Sequence, residues 1–471
     1  MKIVRNYLYN AGYQIFLLLV PLITTPYIAR VLGPHGVGVN SFTNSIIQYF
    51  VLFGSIGINL YGNREIAYHR DDKQKMSQTF WEIELLRVVA IVVASVAFLI
   101  FMMFEQKYHV YLLMQSVLII AAAFDISWFF MGTEDFKTTV LRNTLVKILS
   151  VILIFLLVKS ATDTAIYILI ISGSQLFGNF TLWPYLRKRL VKVSFRSLRI
   201  WHHFRPALVL FIPQIATQIY LVLNKTMLGS ISGVVSSGFF DNSDKMIKIV
   251  LAIVTATGTV MLPRVANTFA RGDIKKVNSY LYSTFDFVTF SSIPLFLGLA
   301  AIAPRFSVWF FSAKFAGIDR LIMMEAPAIL MIAWSNAIGT QYLLPTNHNR
   351  EFTISVTIGA VINLILNIPL IMIWGAFGAA ISTVVSEASV TLYQIYVVRK
   401  RIDLKRLFSD LWKYVVAGGM MFVIVYLLNI HLPFNTLTLV LQVLVGVIVY
   451  VLGILIMRPK IIEQAKRLLT K

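Results

Sequence analysis

Residues 26–45 read PYIARVLGPHGVGVNSFTNS, and residues 222–243 read VLNKTMLGSISGVVSSGFFDNS. Each stretch leaves a long apolar run, turns through glycine-rich polar sequence and enters another apolar run. In the first, Arg30 precedes Leu32-Gly33; in the second, Lys225 precedes Leu228-Gly229. Phe42-Thr43-Asn44-Ser45 then lines up with Phe240-Asp241-Asn242-Ser243 across a two-residue gap. A chain that repeats a polar corner in this way is expected to have two related halves. The two corners are expected to form the mouth of one cavity.

The rest of the composition says what surrounds these corners. The 471 residues are 58% hydrophobic and 13% charged, too few charges for a soluble surface of this size. Apolar stretches of about 20 residues recur with short breaks, the length of a bilayer-spanning helix. The alternating segments of about ten residues that mark a membrane barrel are missing. The expected class is an all-α polytopic membrane protein. MKIVRNYLYNAGYQ leads into apolar sequence with no small-residue cleavage site, so it reads as a first membrane helix rather than a removed signal. With no cysteine, disulfides, thiolate metal sites and cysteine lipidation are excluded.

Fourteen spans are expected, near 8–29, 41–62, 85–104, 110–131, 140–158, 164–186, 206–228, 239–262, 284–304, 321–345, 352–374, 376–397, 412–429 and 437–457. The N-terminal tail and every second loop after it carry 30 of the 42 Lys and Arg, Lys413 at its span edge included, against 6 on the opposite set. Basic loops resist translocation, so both termini are expected in the cytoplasm of a multi-pass cytoplasmic-membrane protein. The net charge of +21 then reflects topology and an anionic leaflet of membrane lipids, not nucleic acid. The densest block, RKRLVKVSFRSLRIWHHFR, gives the expected division: a six-helix bundle over 1–186, a basic cytoplasmic linker over 187–205, a second six-helix bundle over 206–398, and two further helices with a basic tail over 399–471. Six spans per half make the repeats parallel, with substrate expected at their interface.

Soluble-enzyme signatures are absent: no phosphate loop ending in Gly-Lys-Ser/Thr, no His-Glu-x-x-His and no nucleophile elbow. No metal site is expected, and no catalytic residue. All seven histidines fall in expected loops or at span ends, against a histidine relay within the membrane. Charges inside spans are costly and face a bundle interior or a wet cavity. Asp241, Asp244, Lys245 and Lys248 in FFDNSDKMIKIVLA share one helical face. That face is either a polar cavity wall or a set of i,i+3 and i,i+4 ion pairs near the outer membrane surface. Asn44, Asn224, Lys225 and Arg30 complete the candidate cavity set, with Arg30 and Lys225 as a clamp for an anion or as snorkelling cations. Lys147 is ambiguous in the same way. Asp125 and Glu387 are candidate coupling sites for H+ or Na+, or counter-charges to a buried cation. Trp81, Trp183, Trp309 and Trp412 read as interface anchors.

Several runs, in order along the chain, carry a resemblance: YIARVLGPHGVG, GINLYGNREIA, DISWFFMGTEDFKTTVLRN, FDNSDKMIKI, GTVMLPRVAN, YLLPTNHNREFTISVTIGAVINLILN and GAFGAAISTVVSE. The sequence resembles the Wzx-type polysaccharide flippases of the multidrug/oligosaccharidyl-lipid/polysaccharide exporter superfamily, and GINLYGNREIA is typical of their Gram-positive branch. The resemblance implies two six-helix bundles in a V with two extra C-terminal helices, and a cationic cavity to which Arg30, Lys225, Lys245 and Lys248 map by motif position. It implies transfer of an undecaprenyl-diphosphate-linked oligosaccharide between leaflets, with glycosyltransferases and a polysaccharide polymerase as pathway partners. Cavity cations suit the diphosphate, and the asparagines suit sugar hydroxyls. Two alternatives remain at this level. A multidrug/cation antiporter of the same superfamily would favour a carboxylate-rich cavity. A membrane polymerase or ligase would need a large external loop, and the longest here spans about 16 residues, 305–320.

Overall fold

The computed structural model describes residues 2–255 and 258–462; the basic C-terminal sequence from 463 onward lies outside them. The described residues are helical almost throughout, as the apolar runs dictate: with no water in hydrocarbon, backbone groups must bond within their own segment. The chain forms two compact units, residues 1–238 and 239–471.

In the first unit, α1 runs over Lys2–Ser55 and contains the expected span 8–29 and most of the span 41–62, separated by a kink at Gly33 (φ 67°, ψ −177°); the end of the second span passes into the next helix across a break at Ile56 and Gly57. Helix α1 is followed by α2 (Ile58–His69), α3 (Lys73–Phe104), α4 (His109–Ala123), α5 (Ser127–Gly132), α6 (Phe136–Leu157), α7 (Thr164–Phe180), the short α8 (Trp183–Leu186) and α9 (Phe204–Ile231). Helix α10 (Val234–Thr255) begins in this unit and continues into the second. Helix α3 starts twelve residues before the apolar window at 85, because its Asp72 cap accepts the Gln74 and Lys75 N–H groups and helix hydrogen bonding is indifferent to hydropathy. Its outer face exposes Val92, Val96, Leu99 and Met103, an apolar stripe suited to lipid. The inner core gathers Phe80, Trp128, Phe129 and Phe130, with Trp128 stacked on Phe80 at 5.4 Å.

The second unit continues with α11 (Gly258–Ala270), α12 (Ile274–Phe311), α13 (Ile318–Glu325), α14 (Pro327–Ser335), a π-helical stretch over Asn336–Leu343, α15 (Asn349–Trp374), α16 (Ala376–Val398), α17 (Leu404–Leu407), α18 (Leu411–His431) and α19 (Thr436–Met457). The 38 residues of α12 extend about 57 Å at 1.5 Å each, more than the hydrocarbon thickness. Its core partners are α18 and α19, through Ile293, Ala417, Met421 and Tyr450. Helices α15 and α16 are joined instead through polar groups: Asn363 Nδ2 donates to Ser382 Oγ at 3.3 Å, and Ser382 Oγ to the Asn363 carbonyl at 3.1 Å. Such contacts hold helices together where the hydrophobic effect does not distinguish protein from lipid. Eleven helical segments among the described residues are long and apolar enough to cross a bilayer, and the first of them holds two of the expected spans.

Candidate functional site

Both polar corners break at a left-handed glycine. The first breaks at Gly33; the second breaks at Gly233, with φ 91°. The pairing of Gly33 with Gly229 expected from sequence is therefore displaced: Gly229 is helical, and it leaves room for the Phe42 ring, which would lie 2.0 Å from a Cβ there. The Leu-Gly dipeptide is common in apolar sequence, whereas a positive φ is a geometric requirement that only the break itself imposes. Matching the breaks gives a constant offset of 200 residues, and close packing follows it. A Cβ on Gly38 would meet the Val234 carbonyl oxygen at 1.9 Å; one on Gly238 would meet the Pro34 carbonyl oxygen at 2.5 Å. Each helix start thus rests on the glycine of the other. Ser237 Oγ donates to Ser41 Oγ at 3.1 Å beside this seam, and Thr226 Oγ1 lies 2.9 Å from Ser45 Oγ.

This offset separates the two expected clamp cations. Arg30 now matches Ser230, and Lys225 matches Thr25. Arg30 lies three residues before its break and Lys225 eight before its own, a difference of about 7.5 Å along a helix axis. Arg30 is exposed, Lys225 and Asn44 are half-buried, and Asn224 is buried.

In the second unit, the charged face of α10 is arranged as pairs. Lys245 Nζ lies 2.5 Å from Asp241 and Lys248 Nζ 2.8 Å from Asp244. The ion-pair reading of that spacing is therefore present, and Lys245 and Lys248 each have a carboxylate one turn away. Asp241 is buried, while Lys248 remains exposed. Ser243, on the opposite side of the turn, donates to Glu325 Oε2 at 2.6 Å; Glu325 is buried and was not singled out in the sequence. Along the same helix, Val250 borders an apolar groove of about 390 Å³ between α12, α18 and α19, floored by Gly298, Gly446 and Tyr450.

The remaining candidates separate. Asp125 lies in the turn between α4 and α5, where its carboxylate accepts the Ser127 N–H at 3.0 Å and its carbonyl accepts from Arg87. It shapes a turn. Glu387 and Lys147 are half-buried on α16 and α6. The strongest buried charges were missed by sequence: Glu84 is 2% exposed and Arg87 is 1% exposed. Arg87 also donates to Asn59 Oδ1 at 2.5 Å and lies 5.9 Å from the Trp128 ring, while among the described residues neither Glu84 oxygen meets a donor at hydrogen-bond geometry. One histidine has a role that its expected loop position did not disclose. His203 is buried, with Nδ1 2.7 Å from Tyr61 OH and Nε2 2.8 Å from Glu82 Oε2.

The family described as polysaccharide biosynthesis protein matches residues 3–269. An Escherichia coli (strain K12) protein described as a candidate O-antigen transporter is 26% identical over 407 residues, 84% of this chain and 96% of its own. The solved structure of the lipid II flippase MurJ in an inward closed conformation has a TM-score of 0.79 at 15% identity, covering 97% of this chain and 100% of that one. An inward-facing multidrug resistance MATE family transporter of the MOP superfamily has a TM-score of 0.63 at 14% identity, covering 82% and 95%. With these two structures the chain shares its polytopic helical fold.

Proposed function

The chain belongs to the polysaccharide biosynthesis protein family, and from that premise we propose that it is a flippase for an undecaprenyl-diphosphate-linked oligosaccharide. It carries the repeat unit from the inner to the outer leaflet of the cytoplasmic membrane, for capsule or exopolysaccharide. It is a transporter and not an enzyme. The named activity of its Escherichia coli relative, O-antigen transport, points the same way.

The observation that carries this reading is on α10. That helix presents a charged face, Asp241 to Lys248, and about half a turn further on, at Val250, borders an apolar groove. A polar head group finds partners on the first, and a long polyprenyl tail fits the second. Arg30 and Lys225 supply further cations for the diphosphate, at two depths along the path rather than as a level clamp. Asn44 and Asn224 face the sugars. Membrane lipids surround the bundles, and glycosyltransferases and a polymerase act before and after the transfer. The Lys/Arg asymmetry puts both termini and the 187–205 linker in the cytoplasm, so the Gly38–Gly238 seam belongs to the outer side and parts for release by alternating access of the two bundles, residues 1–186 and 206–398. Glu84 joins Glu387 as a candidate H+ or Na+ coupling carboxylate, ahead of the turn-capping Asp125.

The test is depletion of the protein followed by leaflet assignment of the lipid-linked oligosaccharide. The expected result is accumulation in the inner leaflet, protected from an impermeant glycosidase. Unchanged partition and normal surface polysaccharide would overturn the flippase. Loss of drug resistance alone would favour the antiporter.

A further inference from the structure

The basic linker is held down at two places on one helix. At its start, the Val191 N–H donates to Ser77 Oγ at 3.0 Å. At its end, the Arg199 N–H donates to Glu82 Oε1 at 2.8 Å, and His203 closes on the other Glu82 oxygen. Ser77 and Glu82 both belong to α3. Between these pins the chain arches over a cavity of about 700 Å³.

The walls of that cavity are aromatic. Trp81 lies 6.5 Å from Trp183 and 5.8 Å from Phe195, centre to centre, and the Trp183 ring is fixed by donating to the Phe124 carbonyl at 3.0 Å. Arg187 and Lys192 also line it, and no carboxylate does. Neither cation takes part in an ion pair among the described residues, unlike the neighbouring Arg189, which pairs with Asp135. Away from the cavity, Tyr185 and Trp201 are exposed, and Phe195 in its wall is exposed as well. Exposed aromatics alternating with Lys and Arg are the composition of a segment lying at a membrane surface.

A small water-soluble anion would make no use of aromatic walls. A zwitterionic lipid would bring its own cation against two others. An anionic lipid satisfies both features, with its phosphate between guanidinium and ammonium and its glycerol and upper chains against the rings. We propose that the cavity beneath the pinned linker binds an anionic glycerophospholipid of the inner leaflet. The leaflet assignment rests on the cytoplasmic placement of the linker given above; the binding does not.

The absence of cysteine makes the test direct. Ser194→Cys, at the exposed rim, carries an environment-sensitive dye on the full chain in phosphatidylcholine vesicles containing a rising fraction of phosphatidylglycerol. The expected result is a saturable response to phosphatidylglycerol, with none to phosphatidylcholine alone or to inorganic pyrophosphate. Combined Arg187→Gln and Lys192→Gln should raise the half-saturating fraction about tenfold or more, from two lost charge-assisted bonds. Arg196→Gln, a linker cation outside the cavity, should change it little. An equal response to phosphatidylcholine, a response to pyrophosphate, or an equal effect of Arg196→Gln would overturn the site. The same cysteine separates this from the functional reading: its labelling by an impermeant reagent in intact cells would overturn the topology whatever the lipid result.

Discussion

Arg87 connects three separate pieces of the first unit. It donates to the carbonyl of Asp125 between α4 and α5, to Asn59 on α2 at 2.5 Å, and lies over Trp128 on α5. Glu84, one turn earlier, faces the same interior. A planar fork reaches two acceptors at fixed angles, which an ammonium does not reproduce. Arg87→Met leaves Asn59, the Asp125 carbonyl and Glu84 without their cation in a dry core. The expected loss is about 3–5 kcal/mol, with Arg87→Lys intermediate, read as the thermal unfolding midpoint of the purified protein in detergent. An unchanged midpoint for Arg87→Met would mean that the cluster contributes nothing to stability. The sequence concealed this group for a physical reason. An apolar window opening at 85 leaves Glu82 and Glu84 outside the span, and only the tertiary approach of α2 and α5 encloses them; Arg87 itself falls inside that window, where a charge within a span was the signal that could have found it. His203 was hidden in the same way, since its position in a basic loop says nothing about Tyr61 and Glu82 closing on it.

At the scale of elements, hydropathy located the helices because apolar length is what a bilayer selects. It could not locate their ends, since α3 and α12 continue as helices through charged sequence. Nor could it distinguish Gly229 from Gly233, because both lie in similar surroundings and only backbone geometry separates them. The α10 charges were legible as one face, and their pairing was one of the two readings that the spacing allowed. Close approach at glycine supplies a further test. Gly38→Ala forces a methyl group against the Val234 carbonyl, and the helix starts must separate or strain, at a cost of about 1–3 kcal/mol. Gly173 on α7 has nothing within 4 Å of its Cβ position. Gly173→Ala should therefore stabilise by up to about 1 kcal/mol through helix propensity. Opposite shifts of the unfolding midpoint are expected, and a rise for Gly38→Ala would show that the seam is not tightly packed.

For the molecule as a whole, the two polar corners match in a register different from the one expected, and that register has a mechanical consequence. With the corners offset by 200 residues, the helix starts that follow them meet glycine against carbonyl at Gly38 and Gly238, and Ser41 and Ser237 lie buried side by side. A lipid-linked sugar cannot pass a seam packed to van der Waals contact, so export requires it to open and close. Ser41→Cys with Ser237→Cys places two sulfurs where hydroxyl oxygens are now 3.1 Å apart, close enough for a bridge after a small adjustment. No other cysteine competes. Oxidation should cross-link the pair and stop polysaccharide export, reduction should restore it, and each single variant should be insensitive to oxidant. Opening is then required for transport and not only for assembly, because the block reverses in protein already folded. Full export from quantitatively cross-linked protein would show that the seam stays shut throughout the cycle, and the path would have to be sought elsewhere in the fold.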